Sequence, residues 1–153
     1  MKRNCNVAGV LCMLLVFVGA AEGAPKPDDA VHYRQGILMG LGWNIGPMGA
    51  MVQGKVPFDK ERFAFLAARA AQLAPMVAEG FDVTTKDAKS EALPKLWNNL
   101  PDFQKRMRDL TSSSQKLASV AGEGDEAAIR RQFGVTVKMC KGCHDEYRAK
   151  HED

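Results

Sequence analysis

The sequence predicts an all-α protein folded as an antiparallel, up-down four-helix bundle. In four segments, apolar residues recur at steps of three and four, the spacing that places them on one face of a helix. Glycine and proline separate these segments, and no stretch alternates apolar and polar residues as a half-buried strand does. Most connections are short, which favours antiparallel neighbours. With 153 residues, the chain is long enough for one domain with a core.

The amino-terminal two dozen residues differ in composition from the rest of the chain. Two basic residues precede an apolar run, and small residues follow it. This order is typical of a secretory signal peptide. We therefore expect a signal peptide at residues 1–23, a bundle at residues 24–153, a mature amino terminus near Glu22 or Ala24, and export to the periplasm. A retained membrane anchor is the weaker alternative, because the apolar run is too short to span a bilayer comfortably.

The charge balance excludes two classes of partner. The full sequence has 21 basic and 18 acidic side chains. Loss of the signal peptide removes two basic residues and one acidic residue, which leaves 19 and 17 and a formal net charge of +2. A chain so close to neutrality shows no preference for nucleic acid or for an anionic membrane surface.

The first predicted helix begins after Asp28 or Asp29, both of which are suitable N-caps. It runs from Ala30 to about Val52 and ends near Gly54. Its apolar stripe consists of Val31, Ile37, Leu38, Leu41, Ile45, Met48 and Val52.

The second predicted helix begins just after Pro57, with Asp59 as its N-cap, and extends to Pro75. From Gly80 to Leu93 the sequence has no helical periodicity, so we expect a long loop there.

Two further helices complete the predicted bundle. A short turn around Trp97 leads into the third helix, which has Pro101 in its first turn and ends at the Gly-Glu-Gly motif. The fourth helix begins near Asp125 and continues to about Lys150. One broad face of this helix carries Ile129, Phe133, Val137, Cys140, His144 and Tyr147.

The fourth helix contains the motif CKGCH, with Cys140 and Cys143 as the only cysteines outside the predicted signal peptide. Positions i, i+3 and i+4 share a helical face, so both thiols and the imidazole of His144 point the same way. Two thiols can add to the two vinyl groups of haem, and a histidine directly after the second cysteine then reaches the iron. The sequence therefore predicts one covalently bound haem c, with His144 as its axial ligand.

Three alternative interpretations of the motif fit less well. A thioredoxin-like redox pair requires a βαβ context that this helical pattern lacks. A zinc site needs four ligands, and the sequence offers no second cysteine pair. A disulfide across one helical turn would close a very small loop and hold nothing together.

The second axial position of the iron decides the function. His32 has polar neighbours at the entry of the first helix, and His151 is too near His144 to reach the opposite face of the haem. A thioether ligand remains open as an alternative, although helix-spaced methionines more often fill cores. The candidates are Met39, Met48, Met51, Met76, Met107 and Met139.

The whole mature chain resembles the cytochrome c-prime family, the class II c-type cytochromes. The resemblance lies in AVHYRQ at the first helix, GAMVQGKVPFD and LPKLW between helices, and CKGCHDEYR near the carboxyl end. It implies a haem inside the bundle near one end, with the fourth helix on its proximal side. Leu38 matches the residue that covers the distal face. Low-spin relatives have methionine at that position and use it as the sixth ligand, so leucine implies a five-coordinate, mainly high-spin iron.

The resemblance also assigns further haem contacts. Arg34 and Gln35 match family residues near the propionates, where a guanidinium would neutralise carboxylate charge. Arg148 lies four residues after His144, and the resemblance places it beside the proximal haem face, whereas spacing alone fits an exposed arginine at a helix end equally well. Three aromatic residues are expected to line the haem cavity or the core, namely Phe81, Trp97 and Tyr147.

The family usually forms homodimers through its first two helices. In this chain the glycine-rich first helix, together with Met48, Met51 and Phe65, is the expected dimer surface.

Met39, the residue after Leu38, is expected to face away from the haem. A step of one residue turns a helical side chain by about 100°.

These observations predict a periplasmic, monohaem c-type cytochrome that binds NO or CO and captures or buffers NO. The alternative is a low-spin, methionine-ligated electron-transfer cytochrome of the same class, which would serve a small redox partner protein. An enzyme such as a peroxidase is disfavoured, because no distal acid-base histidine is evident.

Overall fold

A computed structural model describes residues 25–81 and 85–150. The predicted signal peptide lies outside the described residues, as does His151. The helices are α1 Pro27–Val52, α2 Lys60–Leu73, a 3₁₀ helix Ala74–Gly80, α3 Lys95–Asn98, α4 Leu100–Glu123 and α5 Glu126–Tyr147. None of the helices within the described ranges is both long enough and apolar enough to serve as a membrane span.

The four long helices form an antiparallel bundle, so the predicted fold class is confirmed. Helix α2 packs against α1 and α4, and α5 packs along α4. Side chains from all four long helices meet in one core, and several of them are almost completely excluded from solvent: Met48, Phe63, Leu66, Leu117 and Ile129. Burial of such side chains stabilises the fold by about 1.5–3 kcal/mol each.

The first residues of α2 and α1 test the helix starts that were predicted from the sequence. Asp59 caps α2 as predicted, because its carboxylate accepts a hydrogen bond from Arg62 N at 2.8 Å. Helix α1 begins at Pro27, three residues earlier than predicted. Proline at the first helical position needs no hydrogen-bond partner for its nitrogen, so the two aspartates that follow lie inside the first turn rather than at the cap.

The end of α4 and the start of α5 agree with the prediction. Gly124 ends α4 with a φ of 78°, the left-handed conformation that glycine adopts at little cost. Asp125 then caps α5 by accepting a hydrogen bond from Ala127 N at 3.0 Å.

The carboxyl end of α5 differs from the prediction, since the helix stops at Tyr147 rather than near Lys150. Arg148 is extended, with φ −109° and ψ 139°, and it forms an antiparallel bridge with Ala92. The loop after the second helix therefore competes with the helix for these backbone groups.

Two short helical elements flank the loop that was predicted from Gly80 to Leu93. A 3₁₀ helix precedes it, and α3 forms the short turn around Trp97 that was predicted. Gly80 ends the 3₁₀ helix in direct contact with α1, where a Cβ atom would lie 2.6 Å from the Cβ of Arg34. Only glycine permits this approach without displacing the backbone.

Candidate haem site

Cys140, Cys143 and His144 lie in the last two turns of α5 and share one side of the helix. Both cysteines are half-buried free thiols, and His144 is more exposed. The Sγ atom of Cys140 lies 3.5 Å from the carbonyl oxygen of Thr136, to which it donates. A disulfide between the two cysteines is therefore not formed.

The electrostatic environment keeps these groups in their neutral forms. Burial raises the pKa of both thiols, and for Cys143 the positive charge of Arg106 opposes that effect. Partial burial of the ring, followed by the charge of Arg148, lowers the pKa of His144. A neutral imidazole has the lone pair that an iron ligand requires.

A seam runs between α1 and α5, and we define it by Ile45 and Gly49 on α1 and by Phe133 and Val137 on α5. The two helices are in sparse contact, and they meet closely at the carboxyl end of α1. There Arg130 Nη1 donates to Val52 O at 2.6 Å, and a Cβ atom on Gly49 would lie 3.7 Å from the ring of Phe133. Next to this contact lies an open cavity of about 300 Å³, which includes Ile45, Gly49, Phe133 and Val137 in its lining.

The pairing of residues along the seam fixes its register. Gly49 faces Phe133, and Ile45 and Val137 line the same cavity. The two helices are therefore antiparallel, because residue numbers fall along α1 in the direction in which they rise along α5. Two turns further along both helices are Leu38 and His144, each seven residues from the cavity pair. Seven residues are close to two full turns, so these side chains keep the same face. Continued at this register, the two helices would bring Leu38 level with His144, and we expect the two side chains to face each other across the seam.

Leu38 exposes 37% of its surface to the seam and to solvent, which is high for a leucine in a bundle. Gln35, one turn earlier, is exposed as well. An exposed apolar side chain is the kind of surface that a flat apolar ring would cover.

The methionines proposed as alternative ligands lie elsewhere. Met39 is 75% exposed and projects to solvent, as the 100° step from Leu38 predicted. Three methionines are buried in the core, namely Met48, Met51 and Met107. Met76 lies in the 3₁₀ helix, and Met139 belongs to α5 itself, the proximal helix.

Arg34 is almost fully buried, with 2% of its surface exposed, and it holds the loop that follows the 3₁₀ helix. Its Nη1 donates to Gly80 O at 2.8 Å and to Thr85 Oγ1 at 2.9 Å, and its Nη2 donates to Ser90 Oγ at 2.8 Å. Burial lowers the pKa of its guanidinium. Three of its five N–H groups thus donate to Gly80 and to the loop that follows it, and the sequence did not reveal this role.

Two of the three predicted aromatic residues surround Arg34. Its guanidinium lies 4.5 Å from the ring centre of Phe81 and 6.0 Å from that of Trp97, within range of cation–π attraction. Both rings are half-buried and pack against the core. The buried guanidinium of Arg34 and these two rings lie at the end of the bundle that also carries the cysteines.

Tyr147, the third aromatic residue, belongs to the core and joins α5 to α4. It is 3% exposed, and its hydroxyl donates to Asp102 Oδ2 at 2.6 Å. Burial and this carboxylate raise the pKa of Tyr147 to about 12. Arg106 completes the group, because its Nε donates to the same carboxylate oxygen at 2.6 Å and its Nη1 to Gly142 O at 3.0 Å.

Sequence reasoning missed this group, although one signal was available. Asp102 and Arg106 are four residues apart on a helix, the spacing of a side-chain ion pair. Nothing in the sequence indicated that the pair would reach the carbonyl between the two cysteines. The contact stabilises the turn of α5 that carries the CKGCH motif.

Arg148 does not lie on the helical face of His144 as the sequence predicted, because α5 has ended one residue earlier. Its backbone N donates to His144 O at 3.1 Å. Its side chain pairs with Glu91, with 2.7 Å between Arg148 Nε and Glu91 Oε2. The guanidinium is thus held by the loop at the end of the helix.

The donor set fits a haem better than the other candidates. Among the described residues, no group of three or more His, Cys, Asp or Glu side chains could hold a metal ion by itself, which argues against a zinc site. The thiols stand on a helix in an all-α fold, not after a strand. Two free thiols and one imidazole on the same side of α5 match the two vinyl groups and the iron of a single porphyrin.

Comparisons with known proteins agree with this site. The family model described as Cytochrome C' matches residues 29–148. The cytochrome c' of Halomonas halodenitrificans is 38% identical over 131 residues, which cover 82% of this chain and 99% of that protein. The cytochrome c' structure from Shewanella frigidimarina superposes with a TM-score of 0.81 at 37% identity, covering 84% of this chain and all of the other.

A further relative comes from Alcaligenes xylosoxidans, whose cytochrome c' has been solved as a nitric oxide complex of a leucine-to-alanine mutant. It is 30% identical, with a TM-score of 0.77, and the alignment covers 85% of this chain and 100% of that one. The resemblance inferred from the sequence motifs is therefore confirmed. With a family match over nearly the whole bundle and relatives of this similarity, the chain belongs to the cytochrome c' family of haem proteins.

Proposed function

We propose that this protein is an exported, monohaem c-type cytochrome that binds small neutral gases such as NO and CO. Cys140 and Cys143 would hold one haem through two thioethers, and the imidazole of His144 would be the axial ligand. The haem supplies an iron with one free coordination position. Periplasmic export, the condition under which haem c is attached, follows from the predicted signal peptide.

The position of Leu38 carries the proposal. The register of α1 and α5 supports a position of Leu38 opposite His144, where the sixth iron ligand would have to lie. Its side chain has no lone pair, so the iron is expected to remain five-coordinate. Water and anions would lose hydration in this apolar site without gaining hydrogen bonds, whereas NO and CO lose little.

The comparisons support gas binding as a property within the family. A nitric oxide complex is known for the leucine-to-alanine mutant of the Alcaligenes xylosoxidans protein. In this chain Leu38 is the residue that we expect opposite His144, and we propose capture or buffering of NO as the biological role of the protein.

We expect Leu38→Ala to speed binding of CO and NO by on the order of tenfold, since a barrier lowered by about 1.4 kcal/mol has that effect. The physical reason is steric, because alanine leaves the distal side open. Water is then also expected to enter as a weak ligand in the ferric protein. Stopped-flow binding to the ferrous protein measures the effect.

Ile45→Ala provides the matched control for that experiment. Ile45 lies on the same face of α1, two turns from Leu38, and loses the same kind of apolar contact. Equal rates in the wild type and in Leu38→Ala would show that Leu38 is not the gate.

The acid–base chemistry of a peroxidase finds no support on the seam. The α1 residues that line the cavity are Ile45, Gly46, Gly49 and Ala50, and like Leu38 they have no side-chain group that donates or accepts a proton. We therefore propose no enzymatic activity.

We also propose a homodimer formed through α1 and α2. Met48 and Met51, expected at the dimer surface, are buried in the core, 0% and 4% exposed, so that expectation was wrong for them. Phe65 is 51% exposed as expected, and Met39 and Trp43 are both 75% exposed. Large apolar side chains at such exposure favour a partner surface.

Trp43→Glu is expected to shift the protein from dimer to monomer in sedimentation velocity, because a charge would be buried at the interface. Val135→Glu, at a 43% exposed position on α5, is the control. A wild-type protein that remains monomeric at millimolar concentration would contradict the dimer.

A further inference from the structure

The loop before α3 and the chain after α5 run antiparallel and form a clasp, which we define as residues 90–93 with residues 147–149. Leu93 N donates to Tyr147 O at 2.9 Å, and Ala149 N donates to Glu91 O at 2.8 Å. The side chains of Glu91 and Arg148 add an ion pair of 2.7 Å. Three separate contacts thus fix the end of α5 to the loop.

The clasp begins directly beside the axial histidine. Arg148 N donates to His144 O, which closes the last turn of the helix. Arg148 is thus tied to the turn of α5 that carries His144, while its guanidinium is held by Glu91 at 2.7 Å. A change in the position of this guanidinium therefore changes the charge at the end of the helix that carries the imidazole.

Glu91 is anchored on its other side by α1. Its neighbour Ser90 accepts a hydrogen bond from the buried Arg34 Nη2 at 2.8 Å, and Ala92 N lies 3.3 Å from the same Ser90 Oγ. An exposed ion pair usually contributes little, because two mobile side chains must be ordered. Here the backbone of Glu91 is already ordered by its neighbours, so part of that cost is absent.

We propose that Glu91 is a positioning residue for Arg148. The ion pair holds the guanidinium beyond the end of α5 and offsets its positive charge on the proximal side of the haem. This inference rests on the proposed function, since it assumes a haem whose iron is bound by His144. Without the Glu91 carboxylate, Arg148 would be free to approach the imidazole, and its charge would favour the ferrous over the ferric state.

The test is a potentiometric titration of the holoprotein for the wild type and for Glu91→Gln. The visible spectrum monitors the oxidation state of the haem during the titration. At a fixed ambient potential we expect the ferrous-to-ferric ratio to rise about threefold, the size expected for one charge roughly 10 Å from the iron in surroundings less polar than water. Glutamine keeps the shape of the side chain, and circular dichroism checks that the variant is folded.

Glu146→Gln is the matched control. Glu146 pairs with Lys95 at 2.8 Å, and the two pairs have the same side-chain exposures of 48% and 46%. The control pair lies just outside the clasp and joins α3 to α5. The control removes one carboxylate and one ion pair without releasing Arg148. We expect a clearly smaller change in the ratio. An equal change in both variants would overturn the proposal, because it would show a general effect of charge.

A double-mutant cycle with Arg148→Gln separates positioning from simple addition of charges. If Glu91 acts through Arg148, the effect of Glu91→Gln falls to less than half in the Arg148→Gln background. Additive effects would contradict the proposal. A wild-type protein without covalent haem would instead contradict the proposed function, so the two failures are distinguishable.

Discussion

Replacing both Cys140 and Cys143 by serine is expected to abolish covalent haem attachment. Thioether formation needs a thiol at each vinyl group, and serine cannot supply it. Of the four cysteines in the sequence, the other two lie in the predicted signal peptide. The measurement is haem staining after denaturing electrophoresis, together with the haem-to-protein ratio. We expect one haem per chain in the wild type and none in the double variant.

The single variants refine this prediction. Cys140→Ser and Cys143→Ser should each retain one thioether and a shifted optical spectrum. Ser113→Ala, which alters a buried side chain between α4 and α5 without touching a thiol, is the control and should keep its covalent haem. Persistent haem staining of the double serine variant would contradict attachment through this motif.

Leu38→Met is expected to convert the iron from five-coordinate and high-spin to six-coordinate and low-spin. A thioether would then stand where Leu38 faces His144. A gas must displace this sulfur to bind, so CO affinity falls in proportion to the fraction of protein with an open site. If that fraction is one tenth or less, the affinity falls by about tenfold or more.

Ile45→Met is the control for that substitution, since it adds the same thioether to the same face of α1 two turns away. It should leave the spin state unchanged. Optical and EPR spectra of both ferric variants, with CO titration of the ferrous forms, provide the comparison. A high-spin spectrum for Leu38→Met would show that this residue does not face the iron.

The sequence predicted the helices well because the signals that define them are local. Asp59, Gly124 and Asp125 act on backbone groups within a few residues, so their roles can be seen without the fold. The predicted end of α5 was wrong, because the side chain of Arg148 donates a hydrogen bond to Glu91, in a loop more than fifty residues away in the sequence. Such a competition between a helix and a distant segment leaves no periodic signal.

The same distinction applies to the candidate site. Cys140, Cys143 and His144 are neighbours on one helix, so their common face follows from spacing alone. The burial of Arg34 by the loop, the contact of Asp102 with Tyr147 and the ion pair of Glu91 depend on how distant segments pack. Polar residues in an aperiodic loop have no partner that spacing could indicate, and only the fold assigns one.

The central claim is that the iron bound by His144 has no sixth protein ligand, because Leu38 is the side chain opposite it. An EPR and optical spectrum of the ferric wild-type protein tests this claim most directly. We predict a dominant high-spin signal and no methionine-to-iron charge-transfer band. A low-spin signal with that band would contradict the account and would favour an electron-transfer cytochrome instead.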